Sequence, residues 1–115
     1  AMHYQVAADH GFTEIADVVI MDEDGDMPLP VEDGKHLQQD YVGANFADYD
    51  FQIVLSHFKG HAMAGFGGAL KNMSIGYASP RGKNLILTAG ASETSFMGGD
   101  QDGFLEAMAE AAKAV

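Results

Sequence analysis

A chain of 115 residues with 47% apolar content is long enough for one domain with a small core. Its lack of cysteine excludes disulfides, thiol catalysis and thiolate-held zinc or iron–sulfur clusters within the chain. A formal charge of −11, from 17 acids and 6 bases, argues against nucleic acid, which demands clustered Lys and Arg in excess.

In chain order, the N-terminal end reads as a cut: Ala1 precedes Met2 as a lead residue, and His3–His10 looks like the second half of a helix with Gly11 as its C-cap. Ala16–Met21 is a short β-branched run and a predicted strand. Asp22, Asp24 and Asp26 share the first spacings of a calcium loop, but Met27 stands where glycine is required and Pro28 and Pro30 follow, so a solvated acidic loop is expected. The prolines demote any strand there to an edge. Asp33-Gly34 is a two-residue turn signal between Pro28–Val31 and Lys35–Val42, which predicts a small hairpin at one edge of the sheet. Ala44–Asp48 reads as one helical turn, Phe51–Ser56 as the best buried strand, Gly67–Ile75 as a helix after a Gly-rich turn, and Asn84–Thr88 as another strand. A closing helix starts with Asp100 or Asp102 as N-cap and carries Phe104, Met108, Ala111 and Val115 as one apolar stripe. It meets the end of the sequence with no stop signal, so a single domain over residues 1–115, excised from a longer protein, is expected. Strands alternating with helices predict an α/β layered sandwich with an at least partly parallel sheet. No apolar run reaches bilayer-spanning length and no leader opens the sequence, so the expectation is a soluble, cytoplasmic protein without a membrane partner.

The charges are segregated. From Phe51 to Ser92 there is no Asp or Glu, while Lys59, Lys71, Arg81 and Lys83 fall there with His57 and His61. Twelve acids lie before this run and five after it, so a small anionic ligand is the expected partner of the run. Its chemically dense part is Ser56-His-Phe-Lys-Gly-His-Ala-Met-Ala-Gly-Phe-Gly-Gly-Ala-Leu-Lys-Asn72.

A strand, a Gly-rich loop and a helix would place loop amides at the carboxyl end of a sheet, where open α/β folds bind ligands. Standard phosphate motifs do not match: Ala69 and Leu70 separate Gly68 from Lys71, and the glycine spacing departs from the dinucleotide fingerprint. Gly65, Gly67 and Gly68 equally suit a tight turn and close packing. His57 and His61 are four apart, the zinc spacing on a helix, but Phe58 stands where a hydrolytic Glu would be and no third ligand is apparent, so no metal site is expected. A proton-transfer role for a histidine beside lysines competes with a simple loop hydrogen bond. Lys71 suits a tethering amine, a counter-ion or a solvated surface position, and Asn72 an oxyanion contact or a turn cap.

The string Lys59-Gly-His61 followed by Gly65-Phe-Gly-Gly-Ala-Leu-Lys-Asn72, with Gly76-Tyr-Ala-Ser79, Gly82-Lys83 and the Asp100–Lys113 end, closely resembles the prokaryotic family catalogued as domain of unknown function 362. The resemblance implies a ferredoxin-like, iron–sulfur-associated protein whose 4Fe-4S module would lie in flanking regions, since this chain has no cysteine. His61–Lys71 is also similar to a string of the nickel-pincer lactate racemase family. That similarity implies His61 as acid/base and Lys71 as the lysine tethering a pyridinium-derived nucleotide, although Leu87 stands where that family's nickel-binding histidine would be. The leading expectation is a domain binding a small anionic ligand or cofactor through His57, Lys59, Gly65, Gly67, Gly68 and Asn72, with His61 and Lys71 at its chemical centre, and working with the absent domains of a longer protein. The alternatives are isomerase or racemase chemistry on a carboxylate with His61 as base, and a structural or interaction domain whose glycines only pack.

Overall fold

The computed structural model describes residues 2–115; Ala1, read above as a lead residue, lies outside them. Helix α1, Met2–Asp9, closes through hydrogen bonds from the His10 and Gly11 amides to Val6 and Ala8, with Gly11 in the left-handed region. A short 3₁₀ turn, Phe12–Glu14, follows.

Two prolines cannot donate to a ladder, which suits the small sheet they occupy. Strand β1, Asp26–Pro30, pairs antiparallel with β2, Gln39–Gly43, so that Pro28 faces Tyr41 and Pro30 faces Gln39. Asp33 supplies the left-handed residue of the connecting turn at φ 56°. A hairpin is therefore present, but residues 31–38 join its strands where a two-residue turn was expected, and it forms a sheet of its own rather than the edge of a larger one; Ala44–Asp48 forms the expected single turn, of 3₁₀ type.

Three predicted strands are not strands. Asn84–Thr88 belongs to helix α3, Pro80–Leu87, and its start explains why. Ser79 caps the helix by accepting a hydrogen bond from the Gly82 amide at 3.2 Å, Pro80 sits at the first helical position, and Ile86 is fully buried. Cap, proline and packing together override the β preference of Leu-Ile-Leu. Among the described residues Ala16–Met21 and Phe51–Ser56 lack a partner strand: the Met21 carbonyl accepts from the Asn45 amide, and Phe51–Ser56 is unpaired and free of turns and bends. Phe51, Ile53 and Leu55 are 81, 75 and 88% exposed, so the stretch expected to be most buried is among the most open. With these segments unpaired, both sheets are two-stranded and antiparallel, and no parallel pairing occurs among the described residues.

The second sheet pairs β3, Lys59–His61, with β4, Gly65–Gly67. A single helical turn α2, Ala69–Lys71, then runs into a π-type turn over Asn72–Gly76, shorter than the predicted helix. Helix α4, Gln101–Ala114, begins at Asp100, whose carboxylate accepts from the Gly103 amide at 2.8 Å. Its stripe is buried as expected: Phe104, Met108 and Ala111 pack with Val31, Leu37, Ala78 and Ile86 into the core, and Val115 is half-buried. Helix α3 lies so close on β2 that a Cβ at Gly82 would overlap the Tyr41 carbonyl oxygen. No helix is long and apolar enough to cross a membrane among the described residues.

Candidate functional site

The Gly-rich segment folds from its own turn chemistry. Three residues, 62–64, link β3 to β4, and Gly65 follows at φ +67°, the left-handed position that a three-residue hairpin loop requires. Gly65 thus serves the turn, opposite His61 in the ladder, and does not reach the cavity beside it.

That cavity, about 260 Å³ and open to solvent, is lined by Ser56, His57, Lys59, His61, Gly67, Gly68, Lys71, Asn72, Ile75 and Gly76. Seven of the eight residues singled out from the sequence are therefore brought around one space by β3, β4 and the first turn after them. The lining contains no carboxylate. Neither Lys59 nor Lys71 has an ion-pair partner among the described residues, in contrast to Lys35 and Arg81, which pair with Glu106 and Glu93 at 2.6 Å. The other two cations of the acid-free run stay outside the cavity: Arg81 lies over the Tyr41 ring, 3.7 Å from its centroid, and Lys83 is half-buried elsewhere.

His57 lies on the extended segment and His61 in a strand, so the two do not share a helical face. The His61 ring is oriented by its turn: Nδ1 accepts hydrogen bonds from the amides of Met63 at 3.3 Å and Ala64 at 3.1 Å. A neutral imidazole with Nδ1 so engaged carries its proton on Nε2 and is a donor there. Asn72 is held by donating from Nδ2 to Ser56 Oγ at 3.2 Å, which ties the turn to the end of the exposed segment. Ser56, Ile75 and Gly76 were not singled out as site residues; their place in the lining follows from this fold-back, and only the position of Ser56 next to His57 hinted at it.

Two ionisable features away from the cavity carried no sequence signal. Glu110 accepts from the amides of Lys35, His36 and Leu37 at 2.9 to 3.3 Å, clamping the hairpin loop to α4. Burial pushes its carboxyl up, but the three amides prevail and hold it below the usual carboxylate range. Asp40 is 1% exposed with neither carboxylate oxygen hydrogen-bonded among the described residues, and burial, opposed by the Tyr41 backbone, pushes its pKa up to about 6.

Cluster ligation fails on donor chemistry, because the chain offers no thiolate. Leu87, at the position matching the racemase nickel ligand, packs against the hydrophobic core rather than lining the cavity.

No curated protein and no solved structure matches the chain. A family model does match, over residues 1–115, and the chain belongs to the family described as Domain of unknown function (DUF362).

Proposed function

We propose that this domain binds a small anion, of phosphate, sulfate or carboxylate chemistry, in the cavity between Lys59 and Lys71. The observation that carries this is the convergence of two cations without ion-pair partners and two histidines on a space lined by no acid, in a protein of charge −11. Lys59 and Lys71 would supply the charge, and His61 Nε2–H a directed donor. Asn72, oriented by Ser56, would add a polar contact. Because α2 is a single turn, the attraction comes from side chains rather than from a helix dipole.

A base role for His61 would need the lone pair on Nε2, hence a proton on Nδ1, where two backbone amides already point. Binding is therefore favoured over proton abstraction, and an iron–sulfur module, as the family resemblance implies, would reside in a partner domain. The test is calorimetric titration with inorganic phosphate, sulfate and a small dicarboxylate. Lys59→Ala and Lys71→Ala should each lose about 1.5–3 kcal/mol of binding, roughly tenfold to a hundredfold in Kd. Equal affinity in wild type and both variants would leave the motif only a packing role.

A further inference from the structure

Among the described residues, segment 50–58 makes no backbone–backbone hydrogen bond, and from Phe51 it runs without turn or bend into β3. Gln52 and Val54 are half-buried, while Phe51, Ile53 and Leu55 form an outward stripe with period two. The segment has the composition of a strand, is free of turns and bends, and lacks a partner among the described residues. Two cavities flank it, one of about 290 Å³ lined in part by Phe46, Phe51, Met73 and Tyr77, the other of about 230 Å³ lined in part by Met21, Ile53 and Leu55.

We infer that this segment is a homodimerisation strand, pairing antiparallel with the same segment of a second copy about a two-fold axis at Ile53. Charge selects that occupant and orientation. Asp48 and Asp50 lead into the segment and His57 and Lys59 follow it, so antiparallel pairing sets the acidic end of each copy beside the basic end of the other. Parallel pairing would place like charges together. Pairing Ile53 with Ile53 also sets Phe51 of one copy opposite Leu55 of the other, which keeps both apolar stripes on one face. The contact is isologous and closes on itself, so it yields a dimer rather than a fibre. A few strand residues per copy make a small interface, so the association belongs at the weak end of the range and is concentration-dependent. His57 and Lys59 also line the neighbouring cavity, so the inference rests on the charge of that segment and not on the identity of the anion bound there.

Sedimentation equilibrium from about 1 µM to 1 mM, a span suited to weak association, reads it, with hydrogen exchange of residues 51–56 at both extremes. The expected result is a mass rising from one chain toward two, with amide protection appearing only at high concentration. Ile53→Asp, which sets two carboxylates together on the axis, should stay monomeric with an unchanged circular dichroism spectrum, and Ile53→Val should still dimerise. A one-chain mass throughout would overturn the inference. So would protection independent of concentration, which means an intrachain partner, or an Ile53→Asp variant that dimerises like wild type.

Discussion

The two ends of this molecule treat similar residues in opposite ways. Around α3, α4 and the β1–β2 hairpin, apolar side chains are buried, and Lys35 and Arg81 are paired with Glu106 and Glu93. Between residues 51 and 72 the apolar side chains point outward and Lys59 and Lys71 face a cavity without a carboxylate. A Cα radius of gyration of 14.5 Å, against roughly 13 Å for a tightly packed chain of this size, fits a core with an open flank.

The sharpest way to break that contrast is truncation on each side. Phe104→Ala in the core should destabilise by about 3–5 kcal/mol, while Leu55→Ala, assayed dilute, should stay within about 0.5 kcal/mol. Chemical denaturation compares them directly, and similar costs would erase the distinction. Next in size is Glu110→Ala, which removes the acceptor of three amides and should cost about 1.5–3 kcal/mol. Gly82→Ala should cost about 1–3 kcal/mol by forcing α3 off β2. Recovery of its stability by repacking would show more slack between helix and strand than the Tyr41 contact allows.

A separate effect is one of pH, with the sign set by Asp40. Its folded pKa, about 6, exceeds the ordinary 3.8, so the folded state holds the proton more tightly and stability falls as pH rises between those values. Asp40→Asn should therefore be more stable than wild type at pH 7, with the gain disappearing near pH 4. Glu110 runs the other way, its depressed carboxyl contributing stability at neutral pH that is lost on acidification. Thermal melts across that range in Asp40→Asn and Glu110→Gln would separate the two slopes.

Local signals in the sequence carried far where the decision was local. Asp33-Gly34 marked the hairpin, Asp100 the start of α4, and the spacing of Phe104, Met108 and Ala111 its buried face. Strand identity was less legible, because it is decided by a neighbour. Phe51–Ser56 has the composition of a strand, but pairing depends on what lies alongside, and at Asn84–Thr88 a serine cap several residues upstream overruled the local preference. The cavity lining was legible because its residues sit in one dense string that a short hairpin folds back on itself. Glu110 and Asp40 were not: their roles arise from contacts across as many as 75 residues of sequence, or from burial alone.

The central claim is that Lys59 and Lys71 share one anion, and it is tested most directly by mapping inorganic phosphate onto the protein with amide and lysine Nζ chemical shifts. Saturable shifts should converge on Lys59, Gly67, Gly68, Lys71 and Asn72 with one common Kd, and Lys35, already paired with Glu106, should not respond. Shifts that never saturate, or that fall equally on Lys35 and the cavity lysines, would contradict a shared site.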